Sequence, residues 1–225
     1  MLESLLKGNA SFIPTYLKYA QKLPAKPRKR MAIITCTDTR LNPIRIFHIN
    51  IGDAAILRNA GNIITDDVIQ SLTTAIGNGV NEIFILGHID CSQTKLIPSD
   101  LSRTLQGIGG TFDIAAVLTA LESVDRFSDE ESNVQTQVTK LRSSPIIPSN
   151  IPIHGLLFDI VNGTVKVVVD GYLAQKSKKK STSFGLSMGM PSLNMPSIST
   201  RSIFTQPTRI ADLSSTARQK GEKNE

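Results

Sequence analysis

The sequence predicts an α/β domain with a mostly parallel central sheet, flanking helices and a C-terminal hairpin, followed by a disordered tail. Three observations predict it. Short apolar runs at 31–35, 54–57 and 82–86 suit strands buried on both faces. Helix signals separate these runs, giving a repeated strand–helix order. Near the end, Asn162-Gly163 lies between two more apolar runs, the strongest short signal for a hairpin turn. The domain so read covers residues 1–172, and the tail covers 173–225.

Each element has its own signal. Residues 1–22 read as a helix through Leu2, Leu5, Leu6, Phe12, Ile13, Tyr16 and Leu17, interrupted near Pro14. Pro24 and Pro27 break the chain before the first strand, Met31 to Thr35, which ends at Cys36. Asn42-Pro43 offers a cap and a first helical residue for a short helix through about Phe47. The second strand, Ala54 to Leu57, leads into Arg58-Asn59-Ala60-Gly61-Asn62. Thr65-Asp66-Asp67-Val68 opens a helix that Gly77-Asn78-Gly79 stops. The third strand, Glu82 to Leu86, ends at Gly87-His88. Residues 96–110, rich in Pro, Ser and Gly, read as a loop, and 111–123 as a helix. Ser128 caps the next helix, with Glu131 three residues on. Val134, Val138 and Leu141 follow at helical spacing, and Pro145 ends it. Residues 156–161 and 164–169 form the hairpin around Asn162-Gly163.

Composition excludes several classes. At 225 residues and 40% hydrophobic, the chain can bury a core. It has no apolar run near the ~20 residues that span a bilayer. No secretory signal is visible, so a reducing cytoplasm is the expected compartment. Two cysteines cannot build a disulfide framework or a four-cysteine zinc ribbon. The net charge of +6 sits in the tail: residues 176–225 carry nine Lys or Arg and three Asp or Glu, and residues 1–175 are balanced. A neutral body does not suggest a nucleic-acid surface. The tail is rich in Lys, Ser, Pro and Met and reads as solvated, or as folding on an acidic protein, nucleic acid or anionic lipid.

Ligands of parallel sheets bind at the carboxyl ends of the strands. There the first strand carries Cys36-Thr37-Asp38-Thr39-Arg40, and the third carries Gly87-His88-Ile89-Asp90-Cys91. Two thiolates and an imidazole suit zinc. Three protein ligands leave a fourth tetrahedral position open, as in catalytic sites. The same residues also read as two buried thiols and a satisfied core histidine. In an extended segment Cys36, Asp38 and Arg40 point to one side. Asp38 beside a cation stays ionised and accepts hydrogen bonds, unless it forms only a surface ion pair with Arg40.

The set Cys36-x-Asp38-x-Arg40, Arg58-Asn59-Ala60-Gly61-Asn62 and Gly87-His88-x-x-Cys91 resembles the motifs of the β-class carbonic anhydrases. The Val134 to Leu141 helix, Ser144-Pro145 and the closing hairpin fit the same family, most like its small archaeal and bacterial branch. The resemblance implies one Zn²⁺ per chain, held by Cys36, His88 and Cys91. It implies that Asp38 orients zinc-bound hydroxide and that Arg40 holds Asp38. In some members of that family the aspartate itself ligates zinc in a resting form, which makes Asp38 a candidate fourth ligand in that form only. Carbon dioxide and bicarbonate are the implied substrates, and a homodimer or larger homo-oligomer the implied assembly. Gly61 is a candidate for substrate approach to backbone amides. Two residues depart from the family pattern: Ser92 follows Cys91 where glycine is usual, and Thr39 replaces a serine. His48 is a candidate proton carrier, with a plain surface or core histidine as the simpler reading, which His154 shares. Two other functions remain open. One is hydrolysis of carbonyl sulfide or carbon disulfide at the same zinc. The other is a zinc-stabilised binding module that acts through its basic tail.

Overall fold

The computed structural model describes residues 1–19, 22–95, 97–108, 113–122 and 126–173. The expected tail, from residue 174 onward, lies outside them. In chain order the elements are α1 (Leu2–Tyr19), β1 (Met31–Cys36), α2 (Pro43–Ile46), β2 (Ala54–Asn59), α3 (Asp66–Gly77), β3 (Glu82–His88), α4 (Pro98–Ile108), α5 (Ile114–Glu122), α6 (Glu130–Ser143), β4 (Ile153–Phe158) and β5 (Val165–Val169). The sheet order is β2-β1-β3-β4-β5. The first four strands are parallel, and β5 returns antiparallel on β4. The α/β reading with a mostly parallel sheet holds. Among the described residues no helix is long and apolar enough to cross a membrane.

The apolar runs form central strands because both sheet faces are covered. On one face Ala32, Ile34, Ile83, Ile85 and Ile153 pack with Val68 and Leu72 of α3 and Val138 and Leu141 of α6. On the other, Ile33, Leu86, Leu156 and Phe158 pack with Leu41, Ile46, Phe47 and Phe127. Each fully buried aliphatic side chain contributes ~1.5–3 kcal/mol. The pleat divides the residues of one strand between the faces. Helix α6 sits unusually close to the sheet. A Cβ on Gly87 would lie 2.5 Å from Val134 Cγ2, and one on Gly155 would lie 2.7 Å from Val134 Cγ1. Two adjacent strands thus leave a slot into which one valine fits.

Local expectations were met at most boundaries and corrected at six. The Asn42 side chain accepts the Arg45 N–H, and that of Thr65 accepts the Val68 N–H, as N-caps do. Helix α1 runs through Pro14 without interruption, since a proline removes one N–H bond and the turns on either side persist. Strand β2 extends two residues further, to Asn59. The loop expected over 96–110 contains α4. A proline at the start is compatible with a helix, and Leu101 and Leu105 bury one face in part. The cap of α6 is Asp129, whose carboxylate accepts the Ser132 N–H at 2.6 Å, so Ser128 stays outside. The hairpin turn is wider than two residues. Asp159 N–H bonds Thr164 O and Gly163 N–H bonds Asp159 O, each at 2.8 Å, and β4 begins three residues earlier than expected.

Candidate metal centre

The parallel register sets the ends of β1 and β3 side by side: Thr35 pairs with Leu86, and the Thr35 hydroxyl donates to Leu86 O at 3.0 Å. Cys36 and His88 therefore leave the sheet together. Cys91 joins them through the turn after β3, where Asp90 adopts a left-handed conformation with φ 58°. The sulfurs of Cys36 and Cys91 are 3.9 Å apart. All three candidate ligand atoms lie within 4.8 Å of one another, and all three residues are buried.

The histidine supplies the test of fit. His88 Nδ1 lies 2.9 Å from Ile89 O. A carbonyl can only accept, so Nδ1 carries the proton and Nε2 presents a lone pair. That Nε2 is buried with no hydrogen-bond partner, which is costly for a polar atom. Two sulfurs and one unpartnered imidazole nitrogen are the donor set of a tetrahedral zinc site.

The site favours an anionic sulfur at Cys36. The Cys91 thiol bonded to Cys36 holds Cys36 far below the ordinary thiol range, and Cys91 is pushed up in turn. The Gly61 N–H points at Cys36 Sγ from 3.4 Å. Burial pulls His88 down, but the Cys36 sulfur, the Ile89 carbonyl and the Asp38 carboxylate together outweigh it and raise the imidazole overall. A cation held among these groups would favour both sulfurs as thiolates.

Asp38 and Arg40 flank the trio. Arg40 Nε donates to Asp38 Oδ1 at 2.9 Å, Nη2 donates to Oδ2 at 2.7 Å, and the Arg40 backbone N–H also reaches Oδ1. This fork keeps the Asp38 carboxyl well below the usual carboxylate range. Asp38 Oδ2 lies 3.9 Å from His88 Nε2, so the carboxylate faces the same space as the ligand atoms. Arg58 donates to Cys36 O and Asp38 O at 3.0 and 2.7 Å, fixing the backbone between them.

Gly61 has φ 70°, and a Cβ there would come within 2.9 Å of both Gln93 Cγ and Phe127 Cε1. Both the turn and the crowding require glycine. Ser92 is exposed and lies outside the left-handed region, so its side chain replaces glycine without strain. It lines a cavity of about 390 Å³ beside the centre with Arg40, Asp90, Lys95 and Leu101. His48 is exposed. His154 is a core histidine, stacked on Phe84 with centroids 4.9 Å apart and accepting the Gly171 N–H at Nδ1.

Sequence reasoning missed the groups that support the site. Asn133 donates to Gly61 O at 3.0 Å, Gln137 donates to Asn133 Oδ1 at 2.9 Å, and Gln137 Oε1 accepts the Ile64 N–H at 2.8 Å. Glu130 accepts the Cys91 N–H at 3.2 Å. The signal was visible as Asn133 and Gln137 four apart within the apolar face of α6, where polar residues need buried partners.

Comparison with known proteins agrees with this geometry. A sequence profile for carbonic anhydrase matches residues 31–165. β-Carbonic anhydrase 1 of Mycobacterium tuberculosis is 32% identical over 152 residues, covering 65% of this chain and 86% of that protein. The crystal structure of β-carbonic anhydrase isoform I from Trichomonas vaginalis aligns with TM-score 0.69 and 34% identity, covering 76% of this chain and 99% of that one. A carbon disulfide hydrolase of Acidithiobacillus thiooxidans is 27% identical, covering 61% of this chain and 76% of that protein.

Proposed function

The chain belongs to the β-class carbonic anhydrase family, and from that premise we propose that it catalyses the zinc-dependent, reversible hydration of carbon dioxide to bicarbonate and a proton. The observation that carries the proposal is the buried Cys36, His88 and Cys91 trio, with its unpartnered Nε2, beside an Asp38 carboxylate locked by Arg40. These three residues would hold the zinc. When bound, zinc lowers the pKa of water toward neutrality and so makes it a nucleophile.

The chain's own residues supply the rest. Asp38, kept ionised by Arg40, can only accept hydrogen bonds. It orients the O–H of the attacking water so that a lone pair faces the carbon of carbon dioxide. Arg40 keeps Asp38 out of the ligand set, since a carboxylate that joined the metal would close the fourth position; a resting form closed by Asp38 would require this pair to open. Gly61 turns its N–H toward Cys36 Sγ and lies against Gln93 and Phe127, so the substrate-binding role suggested for it rests on the shape of this turn and not on a free amide. His48 is exposed, and among the described residues no hydrogen bond or ion pair ties it to the ligand trio, so the plain surface histidine is the reading it keeps.

Stopped-flow hydration of carbon dioxide from about pH 6.5 to 9, on protein assayed for about one zinc per chain, tests the proposal. Asp38→Asn is expected to keep the zinc and lose about 10–100-fold in kcat. Full zinc with no hydration at any pH overturns it.

A second reading, hydrolysis of carbon disulfide or carbonyl sulfide, is favoured by the carbon disulfide hydrolases among the relatives and by Leu101 and Ile97 in the cavity wall. Parallel assays with the sulfur substrates separate the two. The binding-module reading gives no role to a paired Asp38 and Arg40.

Assembly into a homo-oligomer is supported by α1, whose Leu2, Leu5, Leu6, Ile13 and Leu17 are 47–70% exposed. A large apolar ridge in water marks an interaction surface. Light scattering of the full chain beside a Leu5→Lys, Leu6→Lys variant reads it. A cytoplasmic location remains the proposal made from the sequence.

A further inference from the structure

Arg40 holds Asp38 with one edge of its guanidinium, and its other edge is also occupied. Nη1 donates to Asp90 Oδ2 at 2.9 Å, and Nη2 donates to Asp90 O at 3.1 Å. The second carboxylate oxygen of Asp90, Oδ1, is taken by the ammonium of Lys95. The four side chains therefore form one chain of charges, in the order Lys95, Asp90, Arg40, Asp38.

Arg40 needs such an anchor. Its side chain is 45% exposed, whereas Asp38 is 8% exposed. A partly exposed guanidinium held by one carboxylate alone keeps rotational freedom and competes with water. Carboxylates on both edges, plus a backbone carbonyl, fix its plane. The backbone of Asp90 is shaped for this contact. It is one of four non-glycine residues with positive φ among those described, and aspartate tolerates that region better than most. The turn aims both the carbonyl and the carboxylate of Asp90 at Arg40.

We propose that Asp90 is a positioning residue for the reaction: it anchors Arg40 between two carboxylates and so keeps Asp38 turned to its place beside the metal ligands. This rests on the carbonic anhydrase reading for its kinetic consequence, but not for its geometry. The Asp90 carboxylate is paired with Arg40 and Lys95 and not with the ligand atoms. Its influence passes through Arg40.

The experiment uses the zinc-loaded full chain, ¹⁵N-labelled, with the Arg40 Nε–H signal assigned by its loss in Arg40→Lys. Asp90→Gly suits the left-handed backbone and removes only the carboxylate. Exchange of the Arg40 Nε–H with water should accelerate about tenfold. Asp90→Asn, which keeps one carbonyl acceptor, should lie between this variant and the parent, and it is read alone if Asp90→Gly does not fold. Kinetically, Asp90→Gly should lower kcat about 10–100-fold with KM unchanged, and it should add nothing in the Arg40→Lys background. Parental exchange in the folded variants, or a full additional loss of kcat in the Arg40→Lys background, overturns the proposal. If the protein hydrates no carbon dioxide, the exchange measurement still decides the role of Asp90 while the carbonic anhydrase reading fails separately.

Discussion

Replacing Gln137 by leucine tests whether the buried polar rail of α6 supports the centre. Gln137 is 2% exposed, and Ile64, whose N–H it accepts, is fully buried. Leucine is close in volume, so packing is nearly conserved. Two polar groups lose their partner: the Ile64 N–H and Asn133 Oδ1. Each buried unsatisfied group costs ~1–3 kcal/mol, together about 4 kcal/mol at mid-range. Burial of leucine returns about 2 kcal/mol. The net loss of about 2 kcal/mol is a factor of roughly 30 in the folding equilibrium. With a urea slope near ~2 kcal/mol/M, the unfolding midpoint should fall by about 1 M. Midpoints are compared at one protomer concentration and full zinc. Because Asn133 also holds Gly61 O, zinc should leave faster to a chelator. Gln135→Ala, at an exposed position of the same helix, is the control and should stay within ~0.5 kcal/mol. A Gln137→Leu midpoint indistinguishable from that control would refute the reasoning.

Two further predictions concern packing and pH. Gly155→Ala puts a Cβ 2.7 Å from Val134 Cγ1, an overpacking expected to cost ~1–3 kcal/mol; adding Val134→Ala should recover part of it in the same urea titration, and a loss that only deepens would disprove the steric cause. Burial holds the His154 imidazole below its ordinary pKa, against the pull of Glu82 and Asp170 and with a small push from Arg142. The unfolded chain therefore binds this proton first, so stability is complete above about pH 6.5 and falls as pH drops below it. An NMR titration of the His154 ring should give a midpoint below about 6.5, and a midpoint above that value contradicts the assignment.

Much of the domain was legible in the sequence because its signals are local. Buried parallel strands are continuous apolar runs, as at Met31 to Thr35, and a cap such as Thr65 needs only the next three residues. The misreadings arose where local signals compete. Pro14 and Pro98 are helix breakers by composition, yet one is spanned by α1 and the other opens α4. Ser128 and Asp129 both suit an N-cap, and the helix chose the second.

The sequence by itself determined the strand–helix order, the charge partition between body and tail, and the residue types of the centre: Cys36, Asp38, Arg40, His88 and Cys91. Those depend on spacing along one chain. Only the tertiary structure decided what crosses between segments. It set Cys36 3.9 Å from Cys91, left His88 Nε2 without a partner, and closed Arg40 between Asp38 and Asp90. It also joined Gln137 to Ile64 across 73 residues of chain. Hydrogen bonds and metal geometry depend on distances of a few tenths of an ångström. Such distances follow from strand register and helix seating, here Thr35 against Leu86 and Val134 against two glycines.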